Sequence, residues 1–163
     1  MKTRLIALLL ACVMLLPAAA LAETDAVSSA SVADFYGDAA LTGDDLMNAV
    51  NSFSGFYLVA TTNPDGTANA AFFIYAMVKH EDKYYLQMGL AENQSKANLA
   101  ANPCGVAVYA ATPSNEEGAK PYAVAGARMT FQAVTDEAVA AALAADAREG
   151  ALFFEITEIR PLG

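Results

Sequence analysis

Ser95 and Lys96 stand side by side in a polar run that ends at Asn102-Pro103. A hydroxyl and an ammonium at the start of a short helix are donors suited to an anion. The first turn adds free backbone N–H groups and the positive end of the helix dipole. Two plainer roles stay open: Ser95 as a helix cap and Lys96 as a solvated helix charge. Other reactive chemistry is sparse. The chain has one histidine, His80, in a polar turn, which argues against a histidine-built metal site or catalytic triad. Two cysteines cannot make a disulfide scaffold or a four-sulfur zinc site. Cys104, after Pro103, reads as a small buried hydrophobe, with no second thiol or nearby histidine to activate it. No pair of carboxylates has a spacing that indicates acid–base work.

The composition narrows the partners. The chain has 163 residues, 56% apolar, with a net charge of -9. That acidity argues against nucleic acid or an anionic membrane surface as the main partner. Lys2 and Arg4 precede twelve consecutive apolar residues, Leu5 to Leu16, and Ala20-Leu21-Ala22 offers a peptidase small residues. The pattern predicts a secretory signal over 1–22, with cleavage near Ala22 and a periplasmic or secreted product. The apolar run is short for a membrane span, so no span is expected in the mature chain. Cleavage would leave 7 basic and 18 acidic residues, a net charge of -11, and Cys104 as the lone thiol. Residues 23–40, rich in Ala, Ser and Asp, read as a flexible lead-in in which Phe35 and Tyr36 could dock on the domain.

Ordered structure is expected over 41–163. Thr42-Gly43-Asp44-Asp45 starts a helix that carries Leu46, Val50 and Phe53 on one face and stops at Gly55. Phe56 to Thr62 is a strand, Asn63-Pro64-Asp65-Gly66 a turn, and Thr67 to Val78 one long strand. A turn at His80 to Lys83 leads to a strand over Tyr84 to Leu90, then to a helix over Glu92 to Asn102. Strands follow at Gly105 to Ala111 and Tyr122 to Val134, the second bent at Gly126. Thr135 caps an Ala-rich helix that runs to about Arg148, and Leu152 to Ile159 is the last strand. Six strands with short helices suit a closed or half-open barrel; an open sheet covered on one side is the rival.

Strand, Asn63-Pro64-Asp65-Gly66, strand, Tyr84-Tyr85-Leu86, then Ser95-Lys96-Ala97-Asn98-Leu99-Ala100-Ala101-Asn102-Pro103 and another strand form an ordered set. Over about Gly55 to Ala110 it resembles the pyridoxamine 5'-phosphate oxidase-like FMN-binding split barrels. The resemblance implies a mainly β, α+β fold: a six-stranded antiparallel split β-barrel with short covering helices, normally a homodimer. It implies FMN as cofactor in a groove at the subunit interface. Ser95 and Lys96 would hold phosphate, with Gln94 and Asn98 as polar neighbours, and Phe73, Ile74 and Tyr75 would line the ring. Arg128 could supply a second positive charge, with a surface or interface charge as its plainer reading. The segment has one basic residue where tight FMN binders carry two or three, and no residue near the C-terminus matches a pyridoxal reader.

These readings imply an exported FMN-binding protein, a flavin-dependent oxidoreductase but not one that oxidises vitamin B6. The alternative is a non-catalytic split-barrel module that holds a small ligand or none. His80, in a turn, disfavours axial heme ligation. The run Phe72 to Tyr75 also suits core and dimer interface on its two faces.

Overall fold

A computed structural model describes residues 37–111 and 124–163. The signal at 1–22, the lead-in through Tyr36 and the polar loop from Thr112 to Lys120 lie outside the described residues. The strands are β1 (Phe56–Thr62), β2 (Ala68–Phe72), β3 (Tyr75–His80), β4 (Lys83–Met88), β5 (Cys104–Ala110), β6 (Gly126–Ala133) and β7 (Leu152–Arg160). The helices are α1 (Gly43–Asn51), α2 (Gln94–Ala101) and α3 (Glu137–Ala144). The strands form one antiparallel sheet in the order β2-β1-β5-β6-β7-β4-β3.

The two edges of this sheet are consecutive in the chain. The long strand expected over Thr67 to Val78 is broken at Phe73-Ile74, because its halves serve different neighbours. β2 pairs with β1, Phe72 opposite Leu58. β3 pairs with β4, Tyr75 opposite Met88. Side-chain alternation continues through the break: Phe72 and Ile74 are 73% and 70% exposed, Phe73 is half-buried and Tyr75 is buried. The sheet thus counts seven hydrogen-bonded segments but six strands in the covalent sense. One bent strand joins both edges, which is the split barrel.

The inward faces make one core. Tyr57 and Val59 of β1, Tyr75 and Met77 of β3, Leu86 and Met88 of β4, and Met129 and Phe131 of β6 meet Leu46 and Val50 of α1. Tyr57 packs edge-on to both Tyr75 and Tyr109, with ring centroids 5.2 Å apart. Each such pair adds ~1 kcal/mol to the area buried. Two of these rings also fasten the end of α1. Tyr57 Oη donates to the Val50 carbonyl at 2.5 Å and Tyr109 Oη to the Ser54 carbonyl at 2.9 Å. Asn51 completes the attachment. Its Nδ2 donates to the Met77 carbonyl and its Oδ1 accepts from Met77 N–H, both at 2.8 Å. The amide therefore occupies backbone groups of edge strand β3 that would otherwise invite another strand.

Several local expectations shift. Asn93, not Ser95, caps α2, its Oδ1 accepting from Lys96 N–H at 3.0 Å. Asp136, not Thr135, caps α3, accepting from Ala138 and Val139 N–H. That helix ends at Ala144, so Arg148 lies in the connection to β7. Cys104 is exposed rather than buried, because it has the outward parity of its strand. At the end of the expected lead-in, Gly37–Ala39 form a short 3-10 turn, and Ala40 bridges to Gly126. Among the described residues, no helix is long and apolar enough to cross a membrane.

Gly126 sits where chains crowd. A Cβ there would lie 2.1 Å from the Tyr109 carbonyl oxygen, which is backbone in the ladder and cannot swing away. Gly126→Ala is expected to cost ~3 kcal/mol, read as a lower midpoint in urea unfolding. At the barrel's other side Asp44 accepts from Tyr84 Oη at 2.7 Å and from Lys79 Nζ at 3.0 Å. Those donors, the tyrosine first, hold its carboxyl below the usual range. The folded state thus binds that proton more weakly than the unfolded chain. The stabilisation is complete above the ordinary carboxylate pKa of about 4 and is lost as pH falls through the lowered value. Thermal melts of wild type and Asp44→Asn should differ by a constant amount between about pH 6 and about pH 8, well above the ordinary carboxylate pKa of about 4, and converge in more acidic buffer.

Candidate functional site

The residues expected to hold an anion form a buried polar network instead of an open cradle. Asn98, on the inner face of α2, is its hub. Its Nδ2 donates to Thr61 Oγ1 at 3.0 Å and to Asn63 Oδ1 at 2.9 Å. Its Oδ1 accepts from Gln94 Nε2 at 2.7 Å. Asn69, on β2, donates to Thr61 Oγ1 at 3.1 Å and to Ser95 Oγ at 2.9 Å. Thr61, Ser95 and Asn98 are buried. The network joins α2 to the β1–β2 hairpin, which is itself closed by Asp65. That carboxylate accepts from Thr67 N–H and Oγ1, and the hydroxyl first holds its pKa low. Lys96 projects from the partly exposed side of α2, and its Nζ is paired with Glu92 one turn before it.

A different place has the shape of a ligand site. A cleft of about 410 Å³ is lined by Phe53, Ile74, Tyr75, Ala76, Gln87, Met88, Gly89, Arg148 and Ala151. This volume is in the range of small-molecule sites. Three segments build it. The floor comes from β3 and β4. One wall is Phe53, just past α1, held by the Asn51, Tyr57 and Tyr109 bonds. Phe53 has a left-handed backbone, φ 53°, and is 59% exposed. A bulky residue seldom adopts that conformation, which costs of order 1 kcal/mol or more. The third segment is the α3–β7 connection, which contributes Arg148. Gly89 leaves the room: a Cβ on it would sit 2.8 Å from Arg148 Nη2.

The site residues named from sequence therefore separate. Ile74 and Tyr75 line the cleft, but Tyr75 is core, and burial first pushes its phenol pKa up. Its Oη has no hydrogen-bond partner among the described residues. Phe73 lies in an adjoining recess of about 360 Å³ with Gly55, Phe56, Tyr57, Phe72 and Ile74. Gln94, Ser95 and Asn98 are together in the network, with Lys96 at its rim. Arg128 is on β6, opposite Val108 and Arg160, and its Nε donates to the Pro161 carbonyl at 2.6 Å.

Sequence reasoning missed Thr61, Asn69, Phe53, Gln87 and Arg148. Thr61 had a signal: it takes the inward parity of Tyr57 and Val59, where a polar side chain needs a partner. Among the described residues, no group of three His, Cys, Asp or Glu could hold a metal ion.

The network makes α2 sensitive to its hub and not to its charge. Asn98→Ala strands the Gln94, Thr61 and Asn63 polar groups and is expected to cost ~2–3 kcal/mol, with earlier amide exchange in α2. Lys96→Ala, which removes only a half-exposed ion pair, should leave the denaturant midpoint nearly unchanged.

Comparison with family models and with curated proteins finds no match. Solved structures do match in fold. An FMN-binding protein from Syntrophomonas wolfei subsp. wolfei superposes with a TM-score of 0.51 at 13% identity, covering 74% of this chain and 85% of that one. A Lactobacillus delbrueckii protein, named as a candidate pyridoxamine 5'-phosphate oxidase, gives 0.47 at 18% identity, with 74% and 90% covered. The heme storage protein HutZ from Vibrio cholerae gives 0.42 at 12% identity, with 70% and 90% covered. The bent strand that joins both sheet edges, the strand order and the first of these superpositions agree: this chain has a split-barrel fold, the fold of that FMN-binding protein.

Proposed function

We propose that this chain is an exported split-barrel protein that binds a flat small-molecule cofactor of the FMN type. The cleft beside β3 and β4 carries this reading. Phe53 and Ile74 are large apolar side chains held in solvent at its wall, where a soluble surface gains nothing from them unless a ligand covers them. The residues present fit such a group in kind: two apolar walls for a ring, the Gln87 amide for its polar edge and the Arg148 guanidinium for an anion. Bound FMN would supply hydride and electron transfer, and the protein would bind and orient it. The chain's own part is to present Ile74 on a bent strand, hold Phe53 against it and shield the ring's face from water. Lys2 and Arg4 before the apolar run Leu5 to Leu16, together with Ala20-Leu21-Ala22, support export. Phe56 and Phe72, 58% and 73% exposed on the outer face of β1 and β2, support pairing of two copies there.

One observation favours a non-catalytic binding module as the second reading. The Ser95 hydroxyl is buried under Asn69 and Lys96 is neutralised by Glu92, so the α2 start offers little to a phosphate. Under that reading Ser95 and Lys96 support the fold and the ligand is held without turnover.

Fluorescence titration with FMN tests the binding claim. Quenching with a micromolar dissociation constant is expected for wild type. Ile74→Asp, on an exposed wall, should weaken it at least about tenfold while the melting temperature holds. No quenching by FMN at micromolar protein overturns the flavin reading. Oxidation of reduced nicotinamide by the loaded protein separates the oxidoreductase from the binding module.

A further inference from the structure

We infer that Arg148, rather than Ser95 and Lys96, is the anion-recognising residue of this protein. The cleft it lines would take a flat apolar molecule carrying one anionic group: phosphate, carboxylate or sulfonate. The inference rests on the reading of the cleft as the ligand site, but not on the ligand being a flavin.

Charge accounting leads to Arg148. The described residues include six lysines and arginines: Lys79, Lys83, Lys96, Arg128, Arg148 and Arg160. Lys79 is paired with Asp44, Lys83 with Glu155, Lys96 with Glu92 and Arg160 with Glu158. Arg128 is bound to the Pro161 carbonyl. Of these six, Arg148 alone has neither an ion pair nor a side-chain hydrogen bond. In a chain with 18 acidic residues, a guanidinium without a carboxylate partner is conspicuous. Asp146 and Glu149 flank it in sequence, yet neither pairs with it.

Its position gives that charge a use. Arg148 lines the same cleft as the apolar side chains of Phe53 and Ile74. A guanidinium there can donate two parallel hydrogen bonds to an anion while its aliphatic stem and the two side chains cover a ring. The backbone is arranged to keep it there. Ala151 N–H donates to the Arg148 carbonyl at 3.1 Å, and Gly150 follows with φ 78°, closing a tight turn before β7. Gly89 leaves open the volume that the guanidinium uses. A methyl at residue 89 meets only the flexible tip of Arg148, so Gly89→Ala displaces the charge without a backbone clash.

Two dyes of one shape read the charge apart from the apolar contact. 8-Anilinonaphthalene-1-sulfonate carries a sulfonate, and N-phenyl-1-naphthylamine is the same ring system without it. Wild type is expected to bind both, the sulfonate more tightly at low salt, with the difference closing as salt rises. Arg148→Ala should weaken the sulfonate by about tenfold and the neutral dye, which loses only the contact of the aliphatic stem, far less. Arg148→Lys should restore part of the loss, and Gly89→Ala should lower sulfonate binding more than binding of the neutral dye. Arg148 is exposed, so circular dichroism and melting temperature should match wild type. If both dyes bind and neither responds to Arg148→Ala, the inference is overturned while the cleft reading stands. If neither dye binds, both fall. If the dyes behave as expected but FMN and riboflavin do not bind, the flavin reading falls and the inference stands.

Discussion

The structure depends on one stretch of backbone, Phe73-Ile74, where a single strand leaves β1 and joins β4. A sheet of this order has two open edges, and open edges recruit other strands. Here the edges are the two halves of one strand, so covalent continuity closes what hydrogen bonds do not. The same bend sets the surface chemistry. Side-chain parity survives the break, so Tyr75 enters the core and Ile74 must face out. An isoleucine forced outward beside Phe53 makes an apolar wall without any change in the core. The cleft is thus a consequence of how the barrel closes. The attachment of α1 to β3 through Asn51 places the second wall against the first.

The β1–β2 hairpin and α2 show a competition between folding and binding for the same groups. A serine hydroxyl next to a helix start can serve a ligand or the protein. Here Asn69 reaches it from β2, and Asn98 takes Thr61, Asn63 and Gln94, so six side chains satisfy one another around a buried centre of Thr61, Ser95 and Asn98. Burying such a set without partners would cost ~1–3 kcal/mol per group, so removing a group to serve a ligand would expose the others. Lys96 is outside this set, but Glu92 lies one turn away and screens it. The polar residues around α2 therefore hold the hairpin, and on the reading proposed above recognition is left to the cleft.

Much of the fold was legible because its determinants are local. Phe56–Thr62 is a strand with the bounds that its alternation predicts, and Asn63-Pro64-Asp65-Gly66 is a turn closed by its own side chains. The order of strands and helices also followed from period and turn residues. What was illegible depends on partners far along the chain. Ser95 and Asn93 are both good cap residues two positions apart. Asn69, 26 residues from Ser95, occupies the serine and leaves the cap to Asn93. The break at Phe73-Ile74 leaves no mark in composition, since only the identity of each half's neighbour creates it. Cys104 was read as buried because thiols usually are, but its parity with Val106 and Val108 turns it outward. Arg148 read as the end of a helix, and only the barrel brings it to Gly89.

Acidity ties these observations together. Where carboxylates outnumber cations by two to one, most cations are captured by nearby acids, and the described salt bridges show that capture at Lys79, Lys83, Lys96 and Arg160. A sequence motif can place a lysine correctly and still misjudge its availability, because a neighbouring glutamate one turn away decides it. For an anion approaching such a surface, the screened cations offer little and the mean field repels. On the reading proposed above, recognition then falls to Arg148, which makes no ion pair among the described residues although Asp146 and Glu149 flank it in sequence. The turn at Gly150 and the open volume at Gly89 that accompany it belong to the backbone, where no charge pattern in the sequence records them.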